Sequence, residues 1–364
     1  MMEDTGTSDD EAELVTRSLK AGCHLMLNRP GALNALNLSV IQALHRQVAG
    51  LQMADKPQQL ILSGAGTRAF TAGADIKAIY HAGRAWLDGA QAHDPYQNFF
   101  APEYALDAAL YHLDRPKTAV MDGIVMGGGY GIAATCDVRI ATENTVFAMP
   151  ETGIGFFADV AAVYHLRQTP GLLGRYCVIT GETVTHPRDL LALGVATHYV
   201  PSDQCTDLLA ELTALEAPDR QTVLAIAGRY HVDPDGDAPL QGQQALIDAC
   251  FAADDIKSVL ARLERYETSF AQQTYRLIET RAPLSLVVTM EHARRGEDEA
   301  FDTVIGREHN IAARFMREPC FYEGVRAMLI DKDKQPDWHP PRLSDVDDDI
   351  IKHFTAGSSP PVRQ

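Results

Sequence analysis

MDGIVMGGGYGIAATCDVRIATENTVFAMPETGIGFFAD, from Met121 to Asp159, is the stretch on which the fold turns. Gly127, Gly128 and Gly129 follow an apolar segment of strand character (Thr118 to Met121, then Gly123 to Met126). They open a run of small residues, Tyr130 to Thr135, that can form a helix. Val138 to Ala141 reads as another strand, and Pro150-Glu151 sets a carboxylate just past an apolar segment, with Asp159 eight positions on. Without a Cβ, glycine lets the backbone come within hydrogen-bonding distance of a ligand. The first N–H groups of a helix lack intrahelical partners and carry the positive end of its dipole. Such donors suit a developing oxyanion or a phosphate. The Walker Gly-Lys-Ser/Thr is missing, and the dinucleotide spacing fails because Ala133 falls one place late. The plainer reading is a tight turn with close helix–strand packing.

Upstream, residues 1–13 read as a disordered acidic lead-in. Cys23 to Leu27 and Leu60 to Ser63 have strand character, and Leu36 to Leu51 has helical spacing with Asn37 or Ser39 as cap. Ala72-Gly73-Ala74-Asp75 is a second place where small residues admit a ligand, with Asp75 suited to cap a helix. His81 to Phe99 reads as a mobile excursion, and Tyr104 to Leu113 as a helix opened by Glu103. Strands alternating with helices indicate an α/β fold with crossover connections, over 14–217. The Pro, Gly and Asp of 218–243 suggest a loop or junction. Residues 244–354 read as a helical C-terminal region of long amphipathic helices, and 355–364 as a tail.

Composition narrows the function. The 364-residue chain carries a net charge of −17, against a general nucleic-acid or anionic-membrane binder. The six cysteines form no C-x-x-C pair and read as reduced thiols. No secretory or transit signal is legible at the N-terminus, which gives a cytoplasmic expectation. The thirteen histidines show no metal-ligand spacing, so no metal is expected, and no G-x-S-x-G offers a serine nucleophile. That leaves carboxylates. Glu151 lies between apolar Val146–Met149 and apolar Gly153–Phe157, surroundings that raise a carboxyl pKa toward the range useful for acid–base work. Asp159 follows a Gly- and Phe-rich loop and can face the same pocket; on local sequence alone the plainer reading is that Glu151 caps the next turn and Asp159 the next helix.

Taken together, NRPGALNALN (28–37), AFTAGADI (69–76), DGIVMGGGYG (122–131) and FAMPETGIGFFADV (147–160) resemble the crotonase (enoyl-CoA hydratase/isomerase) superfamily. Within it the chain is most similar to the 3-hydroxyisobutyryl-CoA hydrolases, through FFAPEY with Glu103-Tyr104 and through EGVRAMLIDKDKQPDW at 323–338. The resemblance implies a crotonase-like ββα spiral core and an acyl-CoA thioester hydrolase of valine breakdown, with an enoyl-CoA hydratase or isomerase as the alternative. It implies an oxyanion hole from the N–H groups of Ala74 and Gly128, with Glu151 and Asp159 catalytic and Glu103 lining the pocket. Ala72, Gly73 and Ala74 would lie along CoA, with Arg68 and Lys77 as candidates for its phosphates. No cofactor beyond the CoA of the substrate is implied, and the partner is a small-molecule acyl-CoA, with a homo-oligomer left open. Two positions depart from the pattern: Gly131, where hydratases place a second glutamate, and Ala158, where these hydrolases place proline.

Overall fold

The computed structural model describes residues 12–356. Most of the lead-in and tail segments lie outside them. Glu13 is described: it pairs with Arg29 at 2.9 Å and accepts hydrogen bonds from Asn37 and Ser39, so it belongs to the fold rather than to a lead-in.

The chain opens with a hairpin, β1 (Leu14–Leu19) and β2 (Gly22–Leu27), followed by α1 (Leu38–Gln52). The first strand was not legible, because its exposed polar residues hide the alternation. Three ββα units follow: β3 (Gln59–Gly64), β4 (Ala69–Thr71) and α2 (Ile76–Leu87); then, after α3 (Ala101–His112), β5 (Lys117–Met121), β6 (Ile124–Met126) and α4 (Gly128–Ala134); then β7 (Val138–Ala141), β8 (Val146–Ala148) and α5 (Ala162–His165). The first strand of each unit joins a six-stranded sheet ordered β1-β2-β3-β5-β7-β9, parallel except for the β1–β2 pair. The second joins a parallel three-stranded sheet, β4-β6-β8. Leu36 bridges Ala74 beside β4, so the segment before α1 adds an outer partner to the small sheet. This repeated splitting of strand pairs between two sheets is the expected spiral.

Helices α6 (Leu173–Thr180) and α7 (Pro187–Ala192), strand β9 (His198–Tyr199), and helices α8 (Cys205–Thr213) and α9 (Arg220–Tyr230) complete this half. The large sheet is covered on both faces. Ile61, Val120, Val138 and Ile140 pack against Leu208, Leu212, Val223 and Ile226, while Leu60, Leu62, Ala119 and Met121 face the main core. Strands buried on both sides read as unbroken apolar runs.

Two segments differ from expectation. The excursion at 81–99 is largely helix: Asp75 caps α2 by accepting from Ala78 N, and a wider turn at Tyr96–Phe100 runs straight into α3. The junction at 218–243 holds α9, capped by Asp219; only the stretch after it fits the Pro/Gly/Asp signal. The C-terminal region is a set of shorter helices: α10 (Gln244–Phe251), α11 (Ile256–Leu263), α12 (Ser269–Glu279), α13 (Pro283–Gly296), α14 (Phe301–Phe315), α15 (Pro319–Val325) and α16 (Asp348–Thr355). No helix among the described residues is long and apolar enough to cross a membrane.

Candidate active site

The three strands of the small sheet run parallel, so their C-terminal ends share one edge. Ala74 follows β4, Gly128 follows β6 and Glu151 follows β8, each within three residues of the strand end. Topology alone brings these distant residues together.

At the first strand end the backbone is held on three sides. Ala72 N–H donates to Leu33 O, Gly73 N–H to Thr71 Oγ1, and Gly73 O accepts from Leu36 N. Among the described residues nothing accepts from the N–H of Ala74, nor from that of Gly128 at the start of α4. The two strand ends touch: a Cβ on Gly73 would lie 2.6 Å from Met126 O and 3.1 Å from Gly128 N. Gly127 has φ +49 and ψ −126, and a Cβ there would be 2.8 Å from Glu151 Oε1. Only glycine meets both demands. A Cβ on Gly128 would collide with Glu103 Oε1. Glu103 and Glu151 therefore flank the glycine loop.

Four carboxylates gather here: Glu103 and Asp107 from α3, Glu151 from the turn after β8, and Asp159 from the loop before α5, all buried. Burial pushes the pKa of Glu103, Asp107 and Glu151 well above the ordinary carboxylate range, and the charge of Asp159 pushes each further. Asp159 is raised to about 7 by burial, against which the Tyr104 hydroxyl, donating to Oδ2 at 2.7 Å, works in the other direction. The rings of Phe100, just ahead of α3, and Phe156, between Glu151 and Asp159, stack at 4.9 Å, and both are buried. Glu103 Oε1, Glu151 Oε2 and both Asp107 oxygens find no donor among the described residues. Asp107 was missed in the sequence. The signal was there: carboxylates at i and i+4 on the face of α3 that also buries Leu106 and Leu110. A Cβ on Gly131 would meet Val160 Cβ at 2.6 Å and Asp107 Oδ1 at 3.3 Å, so Asp107 and Val160 fill the space beside that glycine.

Ala158 N–H donates to Thr289 Oγ1 at 3.3 Å, a bond proline could not make. Arg68 and Lys77 are exposed beside the Ala72 loop, whereas Arg29 is occupied by Glu13 and Asp75. No group of three or more His, Cys, Asp or Glu among the described residues has the geometry to hold a metal. A separate cavity of about 600 Å³, lined by Arg167, Arg175 and Arg294, contains none of these carboxylates.

The profile described as "Enoyl-CoA hydratase/isomerase" matches residues 23–355. The chain belongs to the enoyl-CoA hydratase/isomerase family. Within this family, proteins named "3-hydroxyisobutyryl-CoA hydrolase, mitochondrial" are similar over almost the whole chain. The one from Homo sapiens is 36% identical over 93% of this chain and 88% of its own length, and that from Gallus gallus 34% over 94% and 89%. Among solved structures, a carnitinyl-CoA dehydratase from Mycobacterium thermoresistibile superposes with TM-score 0.86, 31% identity, and coverage of 97% of this chain and 99% of its own. An enoyl-CoA hydratase from Rhodobacter sphaeroides gives 0.84, 29%, 95% and 97%. These family members correct the cytoplasmic expectation, because the hydrolase relatives are named mitochondrial. That expectation rested on a missing leader signal, and a missing signal specifies no compartment.

Proposed function

We propose that this enzyme hydrolyses acyl-CoA thioesters, with 3-hydroxyisobutyryl-CoA as first-choice substrate, giving 3-hydroxyisobutyrate and CoA in valine breakdown; 3-hydroxypropionyl-CoA is the next choice. The observation that carries this is the pairing of two unspent amides, Ala74 and Gly128, with a buried carboxylate, Glu151, at adjoining strand ends. The thioester oxygen accepts from both amides. Glu151 takes a proton from water as the water oxygen bonds to the carbonyl carbon; the C–S bond then breaks as Glu151 returns that proton to sulfur, and CoA leaves as the thiol. In the other route Glu151 attacks the carbonyl carbon directly, the C–S bond breaks to release CoA as the thiolate, and water then opens the mixed anhydride to give the acid and free Glu151. Label from ¹⁸O-water appearing in Glu151 marks the second route. Asp159, held by Tyr104, meets the 3-hydroxyl, and Glu103 lines the same space. The Ala72–Ala74 backbone runs beside the CoA arm, and the exposed Arg68 and Lys77 meet its phosphates.

A thiol-release assay over a panel of acyl-CoAs tests this. Turnover should be highest with 3-hydroxyacyl thioesters, and no release with any of them sinks the proposal. Two observations favour a second reading, hydration of an enoyl-CoA: Asp107 supplies a further carboxylate beside Gly131, and two well-superposing structures carry hydratase or dehydratase names. Loss of the conjugated absorbance of crotonyl-CoA without thiol release would favour it.

A further inference from the structure

Asp159 precedes two consecutive non-glycine residues in the left-handed region, Val160 at φ 52 and Ala161 at φ 54. For β-branched valine this is a rare and costly conformation, which persists only where surrounding structure enforces it. The enforcing groups come from the C-terminal helices. Ala158 N–H donates to Thr289 of α13, and Ala161 N–H donates to both oxygens of Glu308 on α14, at 3.1 and 3.0 Å. Glu308 is itself fixed. Arg307 Nε donates to His292 Nδ1 at 3.0 Å, so the proton of this imidazole is on Nε2, which donates to Glu308 Oε1 at 2.9 Å. Arg307 in turn pairs with Glu299. Glu308 and His292 are fully buried, and no part of this chain of bonds has a role in thioester cleavage as proposed above.

We infer that Glu308 is a positioning residue for Asp159: with Thr289 it clamps the peptide groups on either side of that aspartate and holds the strained Val160-Ala161 corner that aims its carboxylate. The inference rests on the hydrolase reading, in which Asp159 meets the substrate's 3-hydroxyl. Two substrates separate this role from a general structural one: 3-hydroxyisobutyryl-CoA, and isobutyryl-CoA, which lacks the hydroxyl.

In Glu308→Ala, kcat/KM for the hydroxylated substrate should fall by about 10²-fold, the loss that small misplacements of a reacting group produce. The rate on isobutyryl-CoA should change far less. Asp159→Asn added to Glu308→Ala should bring little further loss, because the two act as one unit. Ala161→Gly added to Glu308→Ala should recover about a tenfold share of the activity, since glycine adopts positive φ without strain. Should Glu308→Ala not fold, Glu308→Gln and Thr289→Val, which keep the volume, serve the same comparison. Equal losses on both substrates, or full additivity with Asp159→Asn, would overturn the inference while leaving the hydrolase reading intact. A wild-type enzyme inactive on every acyl-CoA would instead remove the hydrolase reading.

Discussion

Glu151 is buried, one turn from Phe156, and Asp159 lies close enough for its charge to be felt. Both burial and that charge favour the protonated form, whereas a base must be ionised. The kcat/KM for thioester hydrolysis should therefore climb with pH well beyond the range in which an ordinary glutamate titrates, with an apparent pKa above the usual value of about 4.3. That apparent value belongs to the Glu151–Asp159 pair rather than to either residue. Removing the neighbouring charge in Asp159→Asn should shift the residual profile to lower pH; an unmoved profile would mean the two carboxyls do not interact. Glu151→Gln should lower kcat by about 10²–10⁴-fold, the usual worth of a positioned base. Thiol release by that variant at the wild-type rate would rule out Glu151 as the group that delivers water.

The strand ends carry the candidate site, and most of them could be read in advance. The apolar runs at Leu60–Ser63, Thr118–Met121 and Val138–Ala141 correspond to strands because they are buried on both faces, which leaves a continuous signal. The glycine cluster reads as a helix start since each of Gly127, Gly128, Gly129 and Gly131 answers a close approach. Other features left weaker traces. Strand β1 has mixed exposure and a polar sequence, and α9 contributes only Val223, Ile226 and Ala227 to the core beside a conspicuous Pro/Asp loop. Asp107 escaped notice because a carboxylate on an amphipathic helix ordinarily belongs to its solvated face. Yet α9 is a structural member: Ile226 is 5% exposed and closes the outer face of the sheet. Ile226→Ala should destabilise the protein by about 2–5 kcal/mol. Urea unfolding would measure this, and a change below about 0.5 kcal/mol would mean that α9 covers the sheet without supporting it.

Across the molecule, the C-terminal helices close over a chamber in which Glu103, Asp107, Glu151, Asp159 and Glu308 all bind protons more tightly than in water. For an acid whose folded pKa is raised, stability is fully present below the unfolded pKa and is lost as pH rises through the folded one. This group should thus weaken the fold progressively from about pH 4 upward. Asp107→Asn removes one contributor, so its melting temperature relative to wild type should rise as pH increases from about 4 upward; a difference independent of pH would show that Asp107 titrates as it does unfolded. The same crowding has a kinetic side. The thioester enters with an uncharged acyl end, but hydrolysis turns that end into an acid, and ionising it here meets the same burial that raises the pKa of the surrounding carboxyls. The product anion is better solvated outside, so the free hydroxy acid should be a feeble competitor and turnover should not stall as it accumulates.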